Sequence, residues 1–424
     1  MVPIIVKLLT SLTVIIVLNV FLKRLPVSLL AGAVVFAVWA GLPFSTIVST
    51  ASQAVISLSN LTLMLVVYLV MALSSQLKRN GLVDELVLSV RGTFSSKASL
   101  AILPAVIGLL PMPGGALFSA PLLDNFDDHP GINQEVKTRI NYWFRHVWEY
   151  CWPLYPGIIL ACDIAGLELW VIFLVGIPTS AMAALAGYLV FLTRIPRETK
   201  DERTERKRQA AFSFVPFLPV SIVVFSYFII RFFLPGVSAV SSYLPMVISL
   251  IISLVTVQIL RPLPVKAWSD ILLSRKMFDM VLLIVLVRIY GAFIESDING
   301  TALVQLMTEE MQSFGIPALP LIFLLPFITG MTMGISVGFV GASFPVVIAL
   351  LGAEVPFSML ISTVVFAYIS GFMGTMLSPL HVCLIVTCGY YKSRFILALR
   401  AVILPAAMMM VYAFFYMLLL RGVL

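Results

Sequence analysis

Apolar residues in this chain come in unbroken runs of about 20, the length a helix needs to cross the hydrocarbon of a bilayer, set apart by short polar stretches. The runs predict spans at 2–22, 25–43, 54–75, 139–162 and 169–193, and again at 211–233, 240–260, 277–295, 356–390 and 395–420. Two further runs, 100–124 and 317–352, are apolar but interrupted. Residue-by-residue alternation of apolar and polar positions, the mark of a membrane β-barrel, is missing. The opening MVPIIVKLLTSLTVIIVLNVFL has no basic leader and no small-x-small cleavage site, so it reads as the first span and not as a signal peptide.

The interrupted runs carry the most information. ILPAVIGLLPMPGGALFSAPLLD holds prolines and paired glycines at its centre, which break a helix into two arms entering and leaving by the same side. LLPFITGMTMGISVGFVGASFPVVIALLG has the same character. Both read Leu-Pro, then a glycine four positions after that proline (Gly108, Gly330), then Ser-x-Pro (Ser119, Ser343). Beyond each lies a second match: Trp152-Pro153-Leu154-Tyr155 through Cys162 against Ser378-Pro379-Leu380-His381 through Cys388. The offset between the halves stays within 222 to 226 residues, the sequence mark of a transporter built from an internal repeat.

These elements predict an all-α polytopic membrane protein of two inverted repeats, each with five crossings, one re-entrant hairpin and one broken helix. The first repeat covers 1–193, with its hairpin at 100–124 and broken helix at 139–162. A charged linker fills 194–210. The second repeat covers 211–424, with its hairpin at 317–352 and broken helix at 356–390. Five crossings is an odd number, so the second half lies upside down relative to the first.

Charge agrees with that count. With both termini outside, 21 of the 27 lysines and arginines fall on the cytoplasmic side, seven of them in the linker, while the outer loops carry mainly acids. Composition then excludes a soluble protein, because 61% of residues are hydrophobic and only 11% charged. The net charge of +7 reflects cytoplasmic loops and not a nucleic-acid surface. The four cysteines, at 151, 162, 383 and 388, match no zinc spacing and read as small apolar residues.

Backbone broken at bilayer depth is tolerated where it lines a cavity or binds something, and a helix N-terminus suits an anion. Two hairpin tips, Met112-Pro113-Gly114-Gly115 and Thr332-Met333-Gly334-Ile335-Ser336, are expected to meet two breaks, Pro153–Gly157 and Gly374–Pro379. Arg145 and Glu149 stand one helical turn apart before the first break, Arg145 as a carboxylate ligand and Glu149 or His381 as a proton relay. A packed interfacial pair is the plain alternative reading of Arg145 and Glu149, and a hydrogen-bonded core imidazole that of His381. Tyr155, Thr375, Ser378, Ser119 and Ser343 add hydroxyls at the breaks and hairpins. Arg288, inside the eighth span, reads as a snorkelling cation. No phosphate-binding loop for ATP and no zinc-protease motif is present, and the G-x-S-x-G at Gly334–Gly338 lacks the strand-to-helix elbow of a hydrolase.

PMPGGALFSAPLLDN, YWFRHVWEYCWPLYPG and GTMLSPLHVCLIVT resemble an uncharacterised prokaryotic integral membrane family of the ion transporter superfamily, beside the gluconate, citrate, C4-dicarboxylate and lactate permeases. The resemblance spans the whole chain. It implies an inverted-repeat fold, a homodimer in the prokaryotic cell membrane and a transport domain moving against a scaffold. The Ser-Asn-Thr hairpin motif that binds sodium in dicarboxylate relatives is absent from both tips, which leaves coupling to protons or sodium open. The expected function is secondary active transport of a small organic anion, with no enzymatic step and no cofactor; an intramembrane enzyme acting through Ser336 or Glu149/His381, or a passive channel, is the alternative.

Overall fold

The structure, a computed structural model, describes residues 2–110, 115–126, 132–193, 195, 214–298, 300–315, 317–352 and 355–423. Met112, Pro113 and Gly114, and all of the 194–210 linker except Ile195, lie outside the described residues. The chain is helical almost throughout. Its first part runs α1 (Ile4–Leu22), α2 (Leu25–Ala40), α3 (Phe44–Ile56), α4 (Leu58–Arg79), α5 (Leu82–Thr93), α6 (Ser96–Gly108), a short α7 (Ala116–Ser119), α8 (Gln134–Phe144), α9 (Pro156–Ala165) and α10 (Leu169–Gly187). The second runs α11 (Leu218–Phe233), α12 (Pro235–Val240), α13 (Leu244–Leu260), α14 (Val265–Leu272), α15 (Arg275–Ile294), α16 (Leu303–Ser313), α17 (Ala318–Met333), α18 (Ser336–Ala349), α19 (Phe357–Met376), α20 (Val382–Tyr391) and α21 (Phe395–Val423). Among the described residues, the sheet is a two-stranded hairpin, Asp297–Ile298 against Thr301–Ala302.

Among the described residues, seven helical stretches are long and apolar enough to cross a membrane: Ile4–Leu22, Leu58–Arg79, Leu169–Leu192, Val215–Phe233, Val265–Ile294, Phe357–Met376 and Phe395–Val423. Three expected spans fall outside that set. Leu25–Ala40 and Leu244–Leu260 have 16 and 17 residues, about 25 Å of helix at about 1.5 Å per residue. The third, 139–162, is split in two. The run 54–75 also begins differently. Ser57 sits at φ −57°, ψ 139°, with its hydroxyl accepting from the Asn60 N–H at 3.4 Å, so an amphipathic α3 ends there and α4 starts anew.

The first break arises earlier than Pro153–Gly157. Helix α8 stops at Phe144, because the His146 ring places Nδ1 2.5 Å from the Tyr142 carbonyl, the acceptor its own backbone N–H would need. That N–H turns to Trp143 at 3.1 Å instead, and 145–155 continue as tight turns such as Glu149 N–H to His146 at 3.2 Å. Pro153 and Pro156 supply no N–H to resume the ladder until α9. Arg145 and Glu149 therefore stand inside the break, not on one helix face before it. The second break, between α19 and α20, falls at residues 377–381, so Gly374 still belongs to α19 and the break runs past Pro379.

Small residues let helices of the second part approach closely. A Cβ at Gly330 would collide with the Gly371 carbonyl, and one at Gly374 with the Phe327 carbonyl, so α17 and α19 lie backbone against backbone. The two parts also interlock. The Glu310 carboxylate on α16 accepts the Ile4 and Ile5 N–H groups at 2.8 and 3.0 Å, capping α1. Arg288 does not snorkel outward. Its Nη1 pairs with Asp163 at 2.8 Å, its Nε donates to Asn60 at 2.7 Å, and Tyr243 donates to the same Asp163 at 2.8 Å. Arg288→Leu should cost about 1–3 kcal/mol by stranding the buried Asp163 carboxylate, read as a lower melting temperature in detergent. An unchanged melting temperature would mean the pair stabilises nothing.

Candidate functional site

Four irregular pieces of backbone meet in the interior. The segments on either side of residues 111–114 pack on the first break. A Cβ at Gly108 would strike the Arg145 carbonyl and one at Gly115 the Arg145 guanidinium, while the Tyr155 hydroxyl donates to the Gly108 carbonyl. Glycine at these two places lets Arg145 lie buried against the hairpin. The second hairpin packs on the second break. Gly334 ends α17 at φ +68°, a left-handed turn, and a Cβ there would lie 2.9 Å from the Leu380 carbonyl carbon and 3.0 Å from the His381 nitrogen.

Both breaks turn polar groups toward one another. Arg145 Nη1 stands 3.4 Å from His146 Nε2 and 3.5 Å from Cys383 Sγ. Glu149 Oε1 lies 3.9 Å from His146 Nε2. His381 has its Nδ1 at 3.0 Å from the Thr375 carbonyl, which the proline at 379 leaves without its helical donor, and 3.2 Å from the Tyr142 hydroxyl. A carbonyl only accepts, so each histidine carries its proton on Nδ1, and each Nε2 keeps a lone pair. The His146 and His381 rings pack edge to face at 4.9 Å. Arg145, His146, Glu149, His381 and Cys383 are all buried.

A second centre lies two residues beyond the Gly334 turn. Helix α18 starts at Ser336 and α9 at Pro156, and neither first turn has a side-chain cap. The two N-termini touch at Gly157, where a Cβ would lie 2.8 Å from Ser336 Oγ and 3.1 Å from the Tyr368 hydroxyl. Tyr368 is buried and its hydroxyl has no hydrogen-bond partner among the described residues. The gap therefore presents unpaired N–H groups, the positive ends of two helices and two hydroxyls in an otherwise apolar interior. Tyr368 also borders a cavity of about 20 Å³ with Tyr150, Ile158 and Thr179, room for one water.

The structure thus gathers Gly115, Arg145, Glu149, Tyr155 and His381 around the first break, and Gly334 with Ser336 at the second tip. Other sequence candidates spend their groups locally. Ser343 Oγ bonds the Phe339 carbonyl at 2.6 Å, Thr332 Oγ1 the Ile328 carbonyl at 2.9 Å, and Thr375 Oγ1 the Gly371 carbonyl at 3.1 Å. Ser378 Oγ accepts the Leu380 N–H at 3.1 Å and so shapes the second break. Ser119 is buried with a hydroxyl lacking a partner among the described residues. Sequence reasoning passed over Tyr142 and Tyr368, named Gly157 only as the end of a break, and read Cys383 as a plain apolar residue. Gly157 alone had a local signal, a glycine straight after the Pro156 that starts a helix.

A comparison with curated proteins finds no match to this chain. A family model matches it from residue 5 to residue 420, nearly end to end. The chain is a helical membrane protein that belongs to the family described as "Protein of unknown function (DUF401)".

Proposed function

We propose that this protein is a secondary transporter of a small organic anion in the prokaryotic cell membrane. The observation that carries the reading is the meeting of two uncapped helix N-termini at Gly157 and Ser336 beside the buried Tyr368 hydroxyl, which has no partner among the described residues. Each N-terminus carries roughly half a positive charge, and the pair suits a carboxylate at a place where hydrocarbon would leave those N–H groups unsatisfied. Arg145, one hairpin away, adds the only full positive charge in this group of residues. A carrier needs such a site closed to both sides, and the room for one water beside Tyr368 suits a closed conformation. The absence of an ATP-binding motif leaves a proton or sodium gradient, or the solute's own, as the energy source.

Two inverted repeats with re-entrant hairpins fit the spacing of the helices. Helices α6, α9 and α10 begin at residues 96, 156 and 169, and α17, α20 and α21 at 318, 382 and 395, which keeps each pair 222 to 226 residues apart. The resemblance of the three sequence motifs to the ion transporter superfamily, whose members are often homodimers, supports placing the chain there. In this topology both termini face outside and the 194–210 linker faces the cytoplasm. A cysteine introduced into the linker of a cysteine-free variant should stay unlabelled by an impermeant reagent until the cells are opened. Labelling of intact cells would overturn the orientation.

The ligand is found by a thermal-shift screen of the purified protein against mono-, di- and tricarboxylic acids, with and without sodium. At least one acid should raise the melting temperature, and its effect should vanish in Gly157→Ala. A screen in which uncharged analogues stabilise the protein as well as the acids do would remove the anion from the reading.

A further inference from the structure

We propose that His146, His381 and Cys383 form a binding site for one borderline-soft divalent cation of the Zn²⁺ type, which pins the two helix breaks together. Their ligand atoms lie within 4.8 Å of one another and all three residues are buried. The two histidines are already prepared as ligands. Each donates Nδ1–H to a main-chain carbonyl, His146 to Tyr142 and His381 to Thr375, which fixes the tautomer and leaves Nε2 as the free lone pair. Metal-binding histidines are oriented in this way by their outer partners. Thiolate and imidazole together select Zn²⁺ or Co²⁺ over magnesium or calcium, which take oxygen.

Arg145 explains how the cluster is held without a metal. Its Nη1 faces both His146 Nε2 and Cys383 Sγ, so the guanidinium stands as a cation before the same lone pairs a metal would use. Metal and guanidinium are therefore competitors. Metal–nitrogen and metal–sulfur bonds of about 2.0–2.1 and 2.3 Å put ligand atoms roughly 3.5 Å apart, so the three must close by about 1 Å as Arg145 withdraws. Cys383 binds as the thiolate, any thiol proton it carries passing to solvent, and supplies one negative charge to the ion. Glu149, with Oε1 3.9 Å from His146 Nε2, is placed to supply the fourth ligand and a second negative charge. Since His146 belongs to the first break, His381 to the second and Cys383 to the first turn of α20, the ion bridges elements more than 230 residues apart in the chain.

The site is separate from the gap at Gly157 and needs no transport to be measured. Purified full-length protein, stripped with chelator, is titrated with Co²⁺ as the probe. One Co²⁺ per chain is expected, with a sulfur-to-cobalt charge-transfer band in the near ultraviolet, displaced by one equivalent of Zn²⁺. Cys383→Ser should lose that band, and His381→Gln should weaken binding by about 10–100-fold or more. Arg145→Met should tighten it at least about tenfold, whereas Arg145→Lys, which keeps a cation, should not. Failure of the wild-type protein to bind Co²⁺ would overturn the proposal, as would a charge-transfer band that persists in Cys383→Ser and so belongs to Cys151, Cys162 or Cys388. If a variant does not fold, the wild-type protein decides: one Co²⁺ per chain with the charge-transfer band supports the thiolate, and Co²⁺ bound without that band refutes it.

Discussion

Gly157→Ala should abolish transport while leaving the protein in the membrane at near wild-type abundance. Gly157 is the second residue of α9, where alanine is a better helix former than glycine by about 1 kcal/mol. The added methyl would nevertheless stand 2.7 Å from Ser336 Cβ, 2.8 Å from Ser336 Oγ and 3.1 Å from the Tyr368 hydroxyl. Ser336 cannot swing its Cβ aside without moving the first turn of α18. The substitution thus fills the gap between the two helix N-termini and pushes them apart. Hydrogen bonds to a charged group are worth about 1.5–3 kcal/mol each. Losing two of them weakens anion binding by a factor on the order of 100 or more. Uptake of the identified acid, normalised to membrane protein on immunoblots, measures the effect. Wild-type uptake by Gly157→Ala would move the binding site elsewhere.

Removing Arg145 alone and removing it together with Glu149 should have different effects on folding and the same effect on transport. Arg145→Met leaves the buried Glu149 carboxylate beside His146 with no full positive charge near it. Deleting one of two buried, oppositely charged neighbours costs stability, whereas replacing both by apolar residues is often neutral. Arg145→Met should therefore fall in abundance and melting temperature, and Arg145→Met/Glu149→Leu should recover both. Neither should transport, since the anion loses the one full positive charge near its site. Glu149→Gln separates binding from coupling, because exchange of solute needs no net proton movement. It should keep exchange and lose proton-driven accumulation. Normal accumulation by the double variant would make the pair purely structural.

Much of the helical frame was legible because bilayer-length apolar runs leave few alternatives. The runs ending at Leu22 and starting at Leu169 are examples, with observed bounds close to those read from the sequence. The amphipathic helices α3, α5 and α16 were not, since their polar faces look like loop when each is judged by hydropathy alone. Pro379 marked the second break, which nevertheless begins three residues after the expected Gly374. The first was misplaced because a side chain ended α8: the His146 imidazole takes the Tyr142 carbonyl before any proline is reached. Arg288 was misread for a related reason. Its partner Asp163 looks like an outer-loop acid in the sequence, and only folding brings the two within 2.8 Å.

The candidate site was legible where one segment contains it and hidden where two segments share it. Arg145, Glu149 and Tyr155 stand out as polar residues around a proline-rich interruption. Cys383 and Tyr368 sit in apolar runs with no local signal, and their surroundings come from the other part of the chain. A zinc pattern is sought as ligands a few residues apart, so one built from residues 146, 381 and 383 escapes it.

Solute counterflow in proteoliposomes tests the central claim most directly. Vesicles containing the purified protein are loaded with the unlabelled acid that stabilises it best and diluted into a trace of the same acid, labelled. A carrier built around the Gly157–Ser336 gap takes up label transiently above its equilibrium level, and Gly157→Ala vesicles do not. Labelled product in place of labelled acid would make the protein an enzyme, and simple equilibration without overshoot would make it a channel; either result would contradict the account.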